Sequence, residues 1–474
     1  MSKKGNAKLK KKSIFDKINI PAKASAVYLG ANIVGKAIGL ATTPFFTRMI
    51  SEDEYGTLSL YLTLLGIASI VTSSVSSGSA IYGGFRKFEN KILLFTKSAL
   101  GVCILFSSVI CLLLFTFSPL LGLDTRFLLP LVLQILCDSI VGVLLSRARF
   151  SYSYWRVMLY SILSSALPAV LSIIILSKRD GGAEVRIYTM LVVSLFLAIF
   201  GAIKIWGCRE KINLEMSRHL AISALPLLPH SITSALSSQA DKLFVSSIMG
   251  QAALAKYSVV HSLGVALQFA VTSLFSSLGP WMTRRIGRGE NDRIMPVVST
   301  IFSLLCALSL GLCALAPEAM QLLAPSKYLE ALPALIPIAL STPLSLLSYS
   351  LTLSLVQTGR GKVTSVSSII SLILCITMNY ILIPRMGYLG AGVALLVSQI
   401  GALIFSLFVI RPYSDHEILP LGKCLGKFVI SCVIGLFIGM SFVAPALRIL
   451  LLTVPVSWGF FALLECKSLI FERK

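Results

Sequence analysis

Charged residues are scarce in this chain, and acidic residues are the scarcest. Only 13% of its 474 residues are charged, against about 25% in an ordinary soluble domain. Acidic residues number 20 against 42 basic ones, while 56% of the residues are hydrophobic. Apolar stretches at 127–145, 157–176 and 187–205 are each long enough to cross a bilayer as one helix. These features exclude folding in water and predict a membrane protein.

Three further absences exclude other classes of protein. No CxxC spacing occurs, and all ten cysteines fall in apolar stretches or in loops predicted to be cytoplasmic, so neither a metal site nor a disulfide framework is expected. The Lys and Arg residues lie between apolar stretches rather than on a basic face, which argues against a nucleic-acid partner. No hydrophilic segment is long enough to form a separate soluble domain.

Hydropathy predicts fourteen membrane spans and an all-α polytopic fold. The predicted spans are 24–49, 56–84, 92–117, 127–147, 157–177, 187–207, 221–249, 256–282, 294–316, 330–357, 363–383, 388–410, 424–444 and 447–466. The first is too long for a cleavable signal peptide, so we expect it to remain as a helix. Most of the Lys and Arg residues then fall in alternate loops, which predicts that both termini and the loop 283–293 are cytoplasmic.

A weak internal repeat predicts the arrangement of these spans. Tyr55 and the residues before it match the stretch around Tyr257, and Arg156 with Val157 matches Lys362 with Val363. Spans one to six would then repeat as spans seven to twelve, in two six-helix lobes related by a pseudo-two-fold axis along the membrane normal. The predicted segments are 1–23 as a basic cytoplasmic terminus, 24–207 and 221–410 as lobes, 424–466 as two further helices and 467–474 as a cytoplasmic tail.

Polar residues recur at helical spacing within several spans and so define candidate cavity residues. His230, Ser234, Ser237 and Asp241 are predicted to share one face of span seven, and Tyr257, His261 and Gln268 one face of span eight. These candidates are Asn32, Lys36, Arg48, Gln134, Asp138, His230, Asp241, Lys242, His261 and Gln268. A charge at the bilayer centre costs about 2.5–3.5 kcal/mol on the insertion scale, so we expect Lys36 and Asp138 to face protein or water. Lys36, in a long polar stripe, is expected to line a wet cavity between the lobes.

Simpler interpretations of the same residues remain open. Lys36 and Asp138 could form a structural ion pair within the first lobe, and either histidine could be satisfied by a neighbouring helix. Asp241 and Lys242 are adjacent and therefore point about 100° apart on a helix, so one salt bridge does not account for both.

The sequence also resembles a known transporter family. TRMISEDEYG at 47–56, ADKLF at 240–244, TGRGK at 358–362 and NYILIPRMGYLGAG at 379–392 resemble the polysaccharide transporter branch of the multidrug/oligosaccharidyl-lipid/polysaccharide exporter superfamily. The resemblance implies a flippase for undecaprenyl-diphosphate-linked oligosaccharides, as in O-antigen, capsule or related glycan assembly, that works by alternating access in the bacterial cytoplasmic membrane. Asp241 and Lys242 match the family's acidic–basic pair, and Arg48 matches its arginine after span one.

No cofactor is expected, and coupling to a proton or sodium gradient is left open. Expected partners are the lipid-linked oligosaccharide and membrane lipids, and a glycan polymerase and assembly proteins are compatible with this reading. Two other functions remain open. A small-molecule antiporter of the same superfamily would use Asp138 or Asp241 as its proton or cation site. A membrane glycosyltransferase or polymerase would need paired carboxylates, for which Glu52, Asp53 and Glu54 offer only a short loop.

Overall fold

The chain consists of helices in all the parts that the structure describes. The computed structural model describes residues 30, 34–35, 37–179, 181–206, 211–286, 288, 290–357, 361–410, 421–440, 451–462 and 464. No β-strand occurs among these residues. Twelve of their helical segments are long and apolar enough to cross a membrane. The prediction of an all-α polytopic membrane protein is therefore confirmed.

The twelve segments correspond one to one with the second to thirteenth predicted spans. The helices are α1 (37–49), α2 (Glu52–Ser76), α3 (Ser79–Lys87), α4 (Ile92–Leu121), α5 (Leu128–Phe150), α6 (Tyr154–Leu176), α7 (Ala183–Trp206), α8 (Leu214–Ala224), α9 (Leu228–Ser237), α10 (Ala240–Met249), α11 (Gln251–Ile286), α12 (Ile294–Ala314), α13 (Ala316–Leu323), α14 (Leu335–Gln357), α15 (Gly361–Met386), α16 (Tyr388–Ile410), α17 (Leu421–Met440) and α18 (Leu451–Ala462). The first predicted span is described only in part, and α18 is a short apolar helix. The count of fourteen therefore stays a prediction.

The described residues divide into two compact units. The first contains the chain up to Ile50 together with Leu64–Ile232, and the second contains Ser51–Thr63 and the chain from Thr233 onward. The division falls inside α2, whose first twelve residues pack with the second unit. The predicted segment boundaries and the axis relating two lobes stay predictions.

The first unit has an aromatic core at the ends of α3, α4 and α5. The Phe85 ring stacks on Phe150 at 5.3 Å and meets Phe95 edge-on at 5.1 Å. A smaller apolar cluster joins α5, α6 and α7 around Val141 and Val193. Away from these cores, α7 exposes Val192, Phe196, Phe200 and Ile203, an apolar stripe suited to lipid contact.

The second unit has a continuous core formed by α12, α14 and α17. The Ser309 hydroxyl donates to the Ala339 carbonyl oxygen at 2.9 Å and ties α12 to α14. Lys427 of α17 donates to Ser299 Oγ of α12 at 3.0 Å. Helix α17 is thereby an integral part of this unit, although it lies outside the twelve spans of the predicted repeat.

The predicted seventh span, 221–249, is not one helix. It comprises the end of α8, a 3₁₀ turn at Leu225–Leu227, and the helices α9 and α10. Pro226 and Pro229 lack the amide donors that a continuous helix would need around the first break. At the second break, Ser238 Oγ donates back to the Ala235 carbonyl at 2.9 Å, a local bond that competes with the helical pattern. The prediction that His230, Ser234, Ser237 and Asp241 share a single helical face is therefore wrong.

Candidate functional site

A buried polar cluster joins α5 to α7 in the first unit. The Gln134 side-chain amide donates to Asp138 Oδ1 at 3.0 Å and to Ser194 Oγ at 2.6 Å. The Ser194 hydroxyl also donates to Asp138 Oδ1, at 3.1 Å. We call these three residues the Asp138 cluster. Gln134 and Asp138 are thus in contact, as their i, i+4 spacing on one face of the predicted fourth span requires.

Among the described residues, only neutral side chains donate hydrogen bonds to the Asp138 carboxylate. The residues around the cluster are apolar. Gln134 is 2% exposed, Asp138 is partly buried, and Cys137, Val193 and Leu197 pack around the contact between the helices. Because Lys36 lies outside the described residues, the alternative of a Lys36–Asp138 ion pair stays open. The arrangement suits a polar contact that fixes α5 against α7, or a carboxyl group that takes up a proton.

A second polar cluster joins α10 to α11 in the second unit. The Tyr257 hydroxyl donates to Asp241 Oδ2 at 2.5 Å, and His261 Nε2 lies 3.4 Å from the same oxygen. All three side chains are buried, with Asp241 only 1% exposed. We call these residues the Asp241 cluster. Tyr257 and His261 lie one turn apart on α11, as the predicted polar stripe of span eight requires.

Three buried oxygens in the Asp241 cluster and on the helices next to it have no hydrogen-bond partner. These atoms are Asp241 Oδ1, Ser237 Oγ and Asn379 Oδ1. Asn379 belongs to α15, where its amide donates to the Cys375 carbonyl oxygen at 2.7 Å. The Cys375 thiol in turn lies 3.8 Å from the Ser237 carbonyl oxygen, so this part of α15 faces the α9–α10 break. Buried acceptors without donors are unfavourable unless a donor, such as a water molecule, or a proton or cation satisfies them.

Lys242 does not pair with its neighbour Asp241. Its ammonium group donates to Gln239 Oε1 at 3.1 Å, at the break between α9 and α10. The two charges therefore have different partners, as the angle between adjacent helical residues requires. Lys242 is only partly buried and is the basic group next to the Asp241 cluster in the sequence.

The other candidates lie apart from these two clusters or outside the described residues. Arg48 is exposed and donates from Nη1 to the Pro44 carbonyl oxygen of its own helix at 3.0 Å. His230 is exposed and belongs to the first unit, whereas Asp241 belongs to the second. Gln268 is partly buried on α11, two turns beyond His261. Asn32 and Lys36 lie outside the described residues.

Two participants were not among the candidates drawn from the sequence. Ser194 contacts Asp138 from 56 positions along the chain, and no local pattern marks a serine in an apolar span as a partner. Asn379 could have been noticed, because an amide side chain within an apolar stretch is unusual and it begins the NYILIP motif.

Ion pairs fix the beginning of α2 within the second unit. Glu52 lies 2.8 Å from Lys327 Nζ and 3.6 Å from Lys256 Nζ, and Lys256 also pairs with Glu330 at 2.6 Å. One turn further, a methyl group at Gly56 would lie 1.9 Å from the Gln251 carbonyl oxygen, so only glycine permits this approach of α2 to α11. Glu52 therefore has structural partners, which makes it a poor member of a catalytic acid pair.

No group of three or more His, Cys, Asp or Glu side chains suited to a metal ion occurs in the described part of the chain. The Asp241 cluster contains one carboxylate and one imidazole, and its unpartnered atoms are oxygens. That set of atoms suits a proton or a hard cation better than a transition metal.

Two protein-family models match the sequence and identify the family of the chain. The model described as "Polysaccharide biosynthesis protein" matches residues 22–285, more than half of the sequence. The chain belongs to this family. A second model, MatE, matches residues 226–381, which include the whole Asp241 cluster and Asn379. The resemblance to the polysaccharide branch of the exporter superfamily is thus confirmed, and with it the class of a multi-pass membrane transporter.

Two curated proteins are distantly similar to this member of the family. The "Succinoglycan biosynthesis transport protein ExoT" of Rhizobium meliloti (strain 1021) is 22% identical over 339 residues, covering 68% of this chain and 67% of that protein. The "Lsg locus putative protein 1" of Haemophilus influenzae (strain ATCC 51907 / DSM 11121 / KW20 / Rd) is 20% identical over 269 residues, covering 55% of this chain and 65% of that protein. The matches therefore span about two thirds of each relative.

Solved structures show the same fold at low sequence identity. The lipid II flippase MurJ in an inward closed conformation superimposes with a TM-score of 0.69 at 16% identity, covering 93% of this chain and 100% of that one. An inward-facing multidrug resistance MATE family transporter superimposes with a TM-score of 0.59 at 14% identity, covering 80% and 95%. These likenesses establish a shared fold and leave the substrate open.

Proposed function

We propose that the protein is a flippase that moves undecaprenyl-diphosphate-linked oligosaccharide units across the bacterial cytoplasmic membrane by alternating access. The observation that carries the proposal is membership of the polysaccharide biosynthesis family over residues 22–285. A relative named for succinoglycan transport supports a glycan as cargo. The substrate serves the assembly of O-antigen, capsule or a related envelope polysaccharide, and a glycan polymerase consumes it.

Physical chemistry favours such a protein for such a substrate. A diphosphate carrying sugars does not cross about 30 Å of hydrocarbon unaided, because its charges and hydroxyl groups would lose their hydration. Polar side chains inside membrane helices provide replacement partners for those groups. Lys36, Lys242 and Arg48 are the candidate cationic anchors, and the amide and hydroxyl groups of the polar stripes are the candidate partners of the sugars.

We further propose that the Asp241 cluster couples transport to a proton or sodium gradient. Asp241 Oδ1 is buried without a hydrogen-bond partner, and so are Ser237 Oγ and Asn379 Oδ1. A proton or a sodium ion bound there would satisfy these oxygens, and its release would leave them unsatisfied. If the proton or sodium ion binds more tightly in one of the two access states, its binding would shift the populations of those states.

The test is flipping in reconstituted vesicles. A fluorescent polyprenyl-diphosphate oligosaccharide is placed in both leaflets, and a membrane-impermeant reductant is added outside. Empty vesicles should lose about half of their fluorescence, whereas vesicles with the protein should lose nearly all of it, faster with an ion gradient. Identical bleaching with and without the protein would refute the flippase.

A small-molecule antiporter is the second candidate. The observation that favours it is the MatE match over residues 226–381, which contains the buried carboxylate Asp241. Efflux of a lipophilic cationic dye from the same vesicles, driven by a proton or sodium gradient, distinguishes the two functions. Dye efflux without flipping would replace the flippase by the antiporter.

We infer that both termini face the cytoplasm, from the distribution of Lys and Arg among the loops. A Gly289→Cys variant should resist a membrane-impermeant thiol reagent added to intact cells. The matched control is Thr125→Cys, an exposed position in a predicted outer loop, which should react. Reaction of both variants from outside would overturn this topology.

A further inference from the structure

A tight turn joins α5 to α6, and three arginines flank it in the sequence: Arg147 and Arg149 before it and Arg156 after it. Tyr152 in this turn has φ of 52°, in the left-handed region that a bulky side chain rarely adopts. The amides of Ser151 and Tyr152 donate to the carbonyl oxygens of Arg147 and Arg149, at 3.0 and 3.1 Å. The Ser153 amide donates to the Ala148 carbonyl at 2.8 Å. The end of α5 and the beginning of α6 are thereby held side by side.

Two of these arginines lie on the two helices that the turn joins. Arg147 is in the last turn of α5 and is partly buried, and Arg156 is exposed in the first turn of α6. Tyr160 lies one turn beyond Arg156 and therefore on the same face of α6.

Helix α7 packs against this region of α5 and α6, and we call the surroundings of Arg147, Arg156 and Tyr160 the niche. A methyl group at Gly201 would lie 2.1 Å from Leu144 Cδ1 and 3.2 Å from the Tyr160 hydroxyl oxygen. Leu144 precedes Arg147 by one turn, so the same face of α5 carries both residues. Helices α5, α6 and α7 therefore converge beside the two arginines, with the Tyr160 hydroxyl on their inner side.

The charges in this niche are not compensated within the described part of the chain. Neither the guanidinium group of Arg147 nor that of Arg156 forms an ion pair with a described residue. Positive charges that lack an acidic partner attract anions from their surroundings. Arg147 and Arg156 each lie one turn from a residue that contacts the Gly201 position, Leu144 and Tyr160, so an anion bound by them would also lie near the neutral Tyr160 hydroxyl.

The position of the niche indicates which anion. The adjoining membrane spans are Thr125–Phe150 and Trp155–Leu176, so the niche lies at their shared membrane boundary. Tyr152 and Trp155 are both exposed there, at the level where aromatic side chains meet lipid headgroups. Guanidinium groups bind phosphate oxygens in pairs, and a tyrosine hydroxyl supplies a third donor.

We propose that Arg147, Arg156 and Tyr160 form a binding site for the phosphate group of a membrane lipid. The shared chemistry is a phosphate or diphosphate ester with an apolar tail, which either a polyprenyl diphosphate or an anionic phospholipid supplies. Binding requires no transport, and only the identification of the ligand with the transported substrate rests on the proposed function. The site lies outside the Asp138 and Asp241 clusters and uses none of their residues.

The test measures binding of a fluorescent undecaprenyl diphosphate to the full-length protein in phosphatidylcholine nanodiscs. Arg147→Gln and Arg156→Gln should each weaken binding by about tenfold or more, because each removes a charge-assisted contact. Tyr160→Phe should weaken it by a few-fold. The matched control is Arg86→Gln, an exposed arginine on α3 with the same change of charge, which should stay within about twofold of the wild type.

A competition experiment identifies the ligand, and lysine variants control for loss of folding. Competition by excess phosphatidylglycerol would assign the site to phospholipid headgroups, and its absence would assign it to diphosphates. Arg147→Lys and Arg156→Lys keep the charge and remove the planar fork, so they should bind better than the Gln variants and melt like the wild type. Unchanged binding in the double Gln variant, or an equal loss in Arg86→Gln, would overturn the site. Intact binding without flipping in vesicles would count against the proposed function alone.

Discussion

Asp138 and Asp241 are both carboxylates within membrane helices, yet their surroundings differ. Asp138 Oδ1 accepts two hydrogen bonds from neutral side chains, and all members of that cluster lie on α5 and α7. Asp241 directs Oδ2 at a tyrosine and a histidine, while Oδ1 is buried without a partner. The first carboxylate is part of a local hydrogen-bond network, and the second retains an unused buried acceptor. A carboxylate oxygen that is buried without a hydrogen-bond partner, as Asp241 Oδ1 is, marks the carboxylate more suited to bind an ion.

The largest effect that tests this difference is expected from Asp241→Asn. The amide keeps the size of the side chain and removes its negative charge, so the variant should no longer hold a cation or change its protonation. We expect flipping to fall by between about fivefold and 150-fold, the usual range for coupling free energies. The amount of protein in the membrane and its melting temperature should stay near those of the wild type.

Asp138→Asn is the matched control for that experiment. Its amide oxygen can still accept hydrogen bonds from Gln134 and Ser194, so flipping should stay within about threefold of the wild type. Equal losses of transport in the two variants would abolish the proposed distinction. A large loss in Asp138→Asn alone would transfer the coupling role to the first unit.

The sequence predicted part of both clusters, and the reason is the helical repeat. Gln134 with Asp138, and Tyr257 with His261, are each four residues apart, so a helix places them on one face before any tertiary structure is known. Ser194, Asn379 and the break at Ser238 depend on which helices pack together, and no local pattern contains that information. The depth of Asp138 was predictable, whereas the identity of its partner on α7 was not.

The next effect in size is expected from Tyr257→Phe. The variant loses the hydroxyl that donates to Asp241 Oδ2 at 2.5 Å and retains the buried ring. A hydrogen bond to a charged group contributes about 1.5–3 kcal/mol, so flipping should fall by about tenfold if that bond differs between the access states. Transport rates and the dependence on the driving gradient are the measurements.

Tyr328→Phe provides the control for Tyr257→Phe within the same unit. The Tyr328 hydroxyl is buried and has no hydrogen-bond partner, so its removal breaks no bond. Flipping should be unchanged and the melting temperature equal or slightly higher. If both phenylalanine variants lose transport equally, the hydroxyl of Tyr257 has no specific role at Asp241.

The third effect concerns stability rather than transport. Asp138→Ala removes the acceptor that Gln134 and Ser194 share, and it leaves these two buried donors with only each other. We expect the free energy of unfolding to fall by about 1–3 kcal/mol, with flipping per folded molecule within about threefold of the wild type. Melting curves in detergent, read beside those of Asp138→Asn, measure the difference. A stable protein that no longer transports would make Asp138 functional.

The smallest effect is expected from Ser194→Ala, which removes the α7 member of the Asp138 cluster. Asp138 Oδ1 then keeps the Gln134 amide as a donor, and the serine's bonds to Asp138 and to Gln134 are both lost. The melting temperature should fall by a few degrees without a change in flipping. Ser107→Ala is the matched control, because the Ser107 hydroxyl of α4 is buried with no partner and its loss should leave the melting temperature unchanged. A change of transport in Ser194→Ala, with normal stability, would mean that the hydrogen-bonded cluster of the first unit takes part in the transport cycle as the Asp241 cluster is proposed to do.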